Sequence, residues 1–306
     1  MQMPPELMSR AGLGVVWADW LATLPKLIDA LLEEWELRAQ GPVWHGYCSV
    51  AIPVRTASRQ AAVLKVALPD EESEPEAVAL QRWQGRGAVR LLRADPGRRA
   101  LLLERLARTD LTEHWDQQAC EIVGGLYPQL HVPVMPQLPS QGARVRRWAE
   151  ELRADARSVP IPRRMVDQAL ALARDLTAEP DRCVLHGDLH YANVLLDSRD
   201  GEERWVAIDP KPANGDPGYE LEPMLRNRFE EYGEVGSVRD GVRRRFHTLI
   251  DTAELDEDRA RDWVIVRSVL NAHWTHRDAV RAGRELAPAE KTQLTRAITV
   301  AKAVQE

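Results

Sequence analysis

The chain has 306 residues, 44% of them hydrophobic and 29% charged, which is enough apolar material for one large core or two smaller ones. Its formal charge of -6 and pI near 5.8 disfavour nucleic acid or an anionic membrane surface as a partner, because both reward basic patches, and mildly favour a cationic small molecule. Cys48, Cys120 and Cys183 show neither CxxC nor zinc spacing, and no basic-then-apolar leader or membrane-length apolar run occurs, so a reduced, cytoplasmic monomer or homodimer is expected.

From residue 15 to 35, Trp17, Trp20, Leu21, Leu24, Leu27, Ile28, Leu31, Leu32 and Trp35 recur at helical spacing. Pro25 lacks the amide hydrogen that a helix interior uses, so it should start a second helix or kink the first. Next come "GPVWHGYCSVAIPVRT" and "QAAVLKVALP", short runs rich in Val, Ala and Ile around a polar turn at 56–60, which predict consecutive antiparallel strands. "SEPEAVALQRW" reads as a short helix, and "VRLLRADPGRRALLLERL" as two strands around an Asp-Pro-Gly turn.

After residue 106 the pattern becomes mostly helical, with helices expected at about 115–130, 144–157, 163–178 and through 219–305. Short strands are expected at 183–186, 193–196 and 204–208, and the proline-rich "QLHVPVMPQLPSQG" should be a loop. The expectation is an α+β chain with two lobes, a mixed β-sheet N-terminal lobe over 1–106 and a mostly helical C-terminal lobe over 107–306.

The stretch "VLHGDLHYANVLL" places two histidines, an aspartate and an asparagine between two apolar runs. Moving a phosphoryl group onto a hydroxyl needs a carboxylate to orient the hydroxyl and take its proton, and oxygen ligands to hold magnesium on the phosphates. Asp188 suits the first task. The Asn193 amide oxygen and the Asp209 carboxylate of "WVAIDP" suit the second. His186, Asp188, Asn193 and Asp209 keep the order and spacing of the protein-kinase loop H-R-D-x-x-x-x-N and its following metal aspartate, with Gly187 in place of arginine.

With "VAIDPKPANGDPGYEL" added, the sequence resembles the aminoglycoside phosphotransferases, and within them the streptomycin 6-phosphotransferase and hydroxyurea phosphotransferase group. "WLATLPKLIDALLEEWEL" and "DWVIVRSVLNAHW" extend the similarity over nearly the whole chain. The resemblance implies a protein-kinase-like fold and an enzyme that uses ATP and Mg2+ on a small-molecule acceptor. It also implies a strand lysine on the nucleotide phosphates, for which Lys65 in "AVLKVAL" fits, paired with Glu76 or else Glu74. Gly46 and Ser49 should sit in the phosphate-covering turn, and the main chain of Glu104 and Leu106 should read the adenine edge. Glu220 and Glu222 should border the acceptor, with Asn271, His273 and Trp274 of a late helix possible further contacts.

Other readings attach to the same residues. His186 is expected to bond backbone near Asp209 rather than to react. His186, Asp188 and His190 could instead bind zinc or iron, although that leaves Lys65, Asn193 and Asp209 without a task. Asp216 before Pro217 suits a helix cap, and Lys211 and Asn214 suit either a substrate contact or a solvated loop. A nucleotide-binding regulator without turnover is the alternative from another class.

Overall fold

The computed structural model describes residues 3–198, 201, 203–233 and 236–305. The chain divides into two compact units: Met1–Arg108 with Leu196–Val206, and Thr109–Leu195 with Ala207–Glu306. The expected single division after residue 106 is therefore interrupted. Of β8 (Val194–Asp197) and β9 (Arg204–Ala207), the stretch Leu196–Val206 belongs to the first unit, while Val194, Leu195 and Ala207 stay with the second.

In the first unit, helix α1 (Pro5–Met8) is followed by α2 (Val15–Glu34), which stays α-helical through Pro25. Trp20, Leu21 and Leu24 before that proline and Ile28 and Leu31 after it are all buried in one apolar cluster. Their common burial outweighs the roughly 3 kcal/mol that a proline costs inside a helix, so no second helix starts there.

Beneath α2 lies a six-stranded antiparallel sheet in the order β1 (Arg38–Ala39), β3 (Ser49–Arg55), β4 (Ala61–Ala67), β6 (Ala100–Glu104), β5 (Leu91–Asp95). The short β2 (Trp44–His45) pairs with β3 at Ala51 and Val50. Thr56 to Gln60 form the turn between β3 and β4, as the polar run predicts. At the other hairpin the Asp95 carboxylate accepts the Arg98 amide at 3.0 Å, which closes the Asp-Pro-Gly turn. Helix α3 (Glu76–Trp83) connects β4 to β5.

The second unit is helical: α4 (Asp116–Leu130), α5 (Gln141–Asp155), α6 (Arg163–Leu176), the short α7 (Glu222–Arg226), α8 (Val238–Ala253), α9 (Glu257–Arg281) and α10 (Pro288–Ala303). Met165, Val166, Ala169, Ala173 and Leu176 of α6 meet Trp263, Val266, Val269 and Leu270 of α9 in one core. Against it β7 (Cys183–Leu185) pairs antiparallel with β10 (Ala213–Gly215), so the residues following β7 emerge beside those preceding β10, where the Lys211 amide donates to the His186 carbonyl. No helix among the described residues is long and apolar enough to cross a membrane.

Candidate active site

In the first unit, Ala62, Leu64 and Val66 of β4 are buried in the core, which turns Lys65 to the opposite side of the strand. There its Nζ lies 2.6 and 2.7 Å from the two carboxylate oxygens of Glu76 on α3. Both side chains are buried, and an unpaired charge at either position would be costly. Glu74, the other possible partner, lies instead 3.6 Å from Arg99 and is largely exposed.

The turn between β2 and β3 differs from the phosphate-covering turn expected of it. Gly46 donates its amide to the Ser49 carbonyl at 3.0 Å, and its own carbonyl accepts from Arg10 Nη1 at 2.7 Å. The Gly46 amide is thus used to close the turn, and Ser49 is buried behind it. At the end of β6, Glu104 donates its amide to the Arg90 carbonyl at 3.0 Å and its side chain accepts the Arg90 amide at 2.8 Å. Leu106 is half-buried just beyond the strand.

In the second unit the loop leaving β7 carries Asp188. His186 is fully buried, with Nε2 3.0 Å from the Ile208 carbonyl, while its Nδ1 accepts the Asp188 amide at 3.3 Å. An accepting Nδ1 places the proton on Nε2, and burial pushes the imidazole pKa below its ordinary 6.5, so this histidine is a neutral strut. With both ring nitrogens on backbone it is no metal ligand, and no cluster of three or more His, Cys, Asp or Glu able to hold a metal occurs among the described residues.

Gly187 has φ of +83°, and a Cβ there would run into the Lys211 carbonyl oxygen, which explains glycine where protein kinases have arginine. Asn193 donates Nδ2 to the Asp188 carbonyl at 2.9 Å, and its own carbonyl accepts the Ile208 amide at 2.9 Å. Asp188, Asn193 and Ile208 therefore share one hydrogen-bonded unit, and Asp209 directly follows Ile208. Asp209 holds the left-handed φ of +55°, a strained conformation for a non-glycine residue. The donor set, an amide oxygen and a carboxylate without sulfur or imidazole, fits magnesium.

Four acceptor-side expectations need correction. Glu220 is fully buried, and its carboxylate accepts the amides of His186 at 2.5 Å and Gly187 at 3.0 Å. Glu222 is also fully buried, and its Oε2 takes Arg226 Nε at 3.1 Å. His273 is buried on α9 with Nε2 2.8 Å from Asp155, and Trp274 packs edge-on against Trp148 at 4.6 Å. Loop amides take Glu220, Arg226 takes Glu222 Oε2, Asp155 takes His273 Nε2 and Trp148 packs on Trp274, whereas Asn271 is half-buried with an amide nitrogen lacking a hydrogen-bond partner. Asn214 bonds the main chain of Met135 and Leu138, and Asp216 caps the following turn at Gly218 and takes Arg259 at 2.6 Å.

Sequence reasoning missed the arginines. Arg226 Nη2 donates to Asp188 Oδ1 at 3.2 Å. Arg267 donates to the carbonyls of Gly187 at 2.6 Å and Tyr219 at 2.7 Å. Arg245 is buried and bonds Asp116, which in turn accepts the hydroxyl of Tyr191 from the catalytic loop at 2.6 Å. One signal was available for Arg267, a charge inside the apolar run "VIVRSVL", which requires buried partners.

A buried lysine–glutamate pair on a sheet-and-helix unit, and a loop aspartate tied to an asparagine beside a second aspartate on a helical unit, match a protein-kinase-like phosphotransferase. The fold agrees: a choline/ethanolamine kinase family protein from Mesorhizobium loti superposes with a TM-score of 0.61 over 92% of this chain and 95% of that one, at 16% identity. The chain belongs to the aminoglycoside/hydroxyurea antibiotic resistance kinase family, whose model matches residues 34–279. It is 38% identical over 283 residues to a streptomycin 6-kinase of Streptomyces griseus, covering 90% of this chain and 91% of that protein. It is 39% identical over 303 residues to a hydroxyurea phosphotransferase of Kitasatospora aureofaciens, covering 95% and 85%. Membership makes the chain a phosphotransferase with a hydroxyl acceptor.

Proposed function

We propose that the chain moves the γ-phosphoryl group of ATP, with magnesium, to a ring hydroxyl of streptomycin or a related aminocyclitol, inactivating the antibiotic in the cytoplasm. The observation that carries the reading is the hydrogen-bonded unit in which Asn193 ties itself to the Asp188 carbonyl and to the Ile208 amide, next to Asp209. Similarity to streptomycin 6-kinases supports the acceptor. Asp188 orients the acceptor hydroxyl and takes its proton. Lys65, held by Glu76, neutralises the nucleotide phosphates, and the main chain around Glu104 and Leu106 meets the adenine. Asn193 and Asp209 would hold the magnesium, which when bound offsets phosphate charge.

Streptomycin, hydroxyurea, other aminoglycosides and simple sugars are tested for ADP release with product mass measured in parallel. A single added phosphoryl group on streptomycin, with Asp188→Asn lowering kcat at least roughly 100-fold, is the expected result. Phosphorylated hydroxyurea in place of phosphorylated streptomycin would select the second reading, favoured by the 39% identical hydroxyurea phosphotransferase. Turnover that survives Asp188→Asn would assign the base elsewhere.

A further inference from the structure

The two oxygens of the Asp188 carboxylate are not equivalent. Oδ1 accepts from Arg226 Nη2 at 3.2 Å, while Oδ2 faces His190 Nε2 at 4.0 Å, beyond hydrogen-bond reach. Arg226 is itself fixed by Glu222, one helical turn earlier on α7, whose Oε2 accepts Arg226 Nε at 3.1 Å. A guanidinium shared between two carboxylates cannot swing to solvent without leaving buried Glu222 only the more distant Arg267, whose Nε lies 3.6 Å from Oε2.

The backbone on either side is held as well. Arg245 donates to the carbonyls of Met224 at 3.3 Å, Asn227 at 2.7 Å and Arg228 at 3.2 Å, bracketing Arg226. The same guanidinium bonds Asp116, which takes the Tyr191 hydroxyl three residues after Asp188. Both members of the Asp188–Arg226 pair are tethered to one buried arginine.

Resting on the phosphotransfer reading above, we propose that Arg226 is a positioning residue for the reaction: it pins Asp188 Oδ1, so that Oδ2 takes the proton of the acceptor hydroxyl. In that step the acceptor oxygen bonds the γ-phosphorus as the bond from that phosphorus to the bridging oxygen breaks. The electron pair of the broken bond leaves with ADP, and the hydroxyl proton passes to Oδ2. The cation at Oδ1 is not needed to drive proton transfer, which comes late in a loose transition state. What it supplies is a fixed carboxylate plane, and misplacement of a reacting group is expensive.

The test is kcat, KM for acceptor and for ATP, and thermal midpoint in Arg226→Gln and Arg226→Lys. Gln should lower kcat roughly 10- to 100-fold with both KM values within about twofold, and Lys should recover part of that loss. The midpoint should move little, because the Arg226 side chain is 40% exposed. Unchanged kcat would overturn the proposal. A changed acceptor KM with kcat intact would make Arg226 a recognition residue, and a lowered midpoint that Lys does not restore would make it structural; either result overturns positioning. A wild type that phosphorylates no hydroxyl acceptor removes the phosphotransfer reading and this inference together, whereas an active wild type indifferent to Arg226→Gln removes this inference alone.

Discussion

Glu220→Gln separates a residue that touches the acceptor from one that holds the catalytic loop. The carboxylate accepts two main-chain amides, from His186 at 2.5 Å and from Gly187 at 3.0 Å, in a fully buried place. Hydrogen bonds to a charged group contribute about 1.5–3 kcal/mol each, and a buried donor left without a partner costs about 1–3 kcal/mol. Glutamine keeps one accepting oxygen and turns its NH2 group toward the second amide, so the loss should be about 2–4 kcal/mol. In a unit of this size that lowers the thermal midpoint by roughly 5–15 °C. Because the two amides sit one and two residues before Asp188, kcat should fall about 10- to 100-fold while acceptor KM stays within about twofold.

Burial pushes the Glu220 pKa up, but His131 at 3.7 Å and the Arg267 guanidinium hold it below the ordinary 4.5. The unfolded chain thus binds the proton first, so the stability from this carboxylate is present above 4.5 and is lost as pH falls through the depressed folded value. The gap in midpoint between wild type and variant should be full at neutral pH and narrow in acid. Scanning calorimetry over pH and steady-state kinetics at neutral pH measure all of this. An acceptor KM that rises several-fold with an unchanged midpoint would refute the reasoning and return Glu220 to the acceptor.

Lys65→Met leaves Glu76 buried without its cation and should cost about 3–5 kcal/mol in urea unfolding, whereas Lys65→Met with Glu76→Leu should recover most of that stability while calorimetric ATP binding stays lost. A single variant as stable as wild type would mean the pair is hydrated. Burial pushes the imidazoles of His186, His190 and His273 below their ordinary 6.5, so the unfolded chain takes up protons first as pH drops. Stability should therefore be full above that value and decline as pH falls below it and the unfolded chain is protonated; a midpoint that stays flat as pH falls through 6.5 would refute it.

The elements legible in the sequence are those whose cause is local. The polar run 56–60 closes a hairpin because β3 and β4 are adjacent in sequence and in the sheet, and Asp95 caps a turn three residues long. The order His186, Asp188, Asn193, Asp209 was readable for the same reason: the loop and the β8–β9 hairpin bring these residues together over a short span. No second helix starts at Pro25, one of the two outcomes the local rule allows, because the residues flanking it are buried together. The contribution of Leu196–Val206 to the first unit has no signature in a reading that divides the chain once.

The acceptor-side glutamates show why spacing alone misleads there. Glu220 and Glu222 were expected to border the acceptor, but two loop amides take the Glu220 oxygens, and the half-exposed Arg226 and the buried Arg267 share Glu222 Oε2. A tight loop that turns consecutive amides inward must find an acceptor for them, since buried N–H groups are seldom left unpaired. Loop amides and arginines in apolar helices thus have first claim on buried carboxylates, and only those left over can serve a ligand. Asp188 differs from Glu220 in this respect: it keeps one oxygen beyond the reach of any donor among the described residues, and that oxygen is the one the chemistry needs.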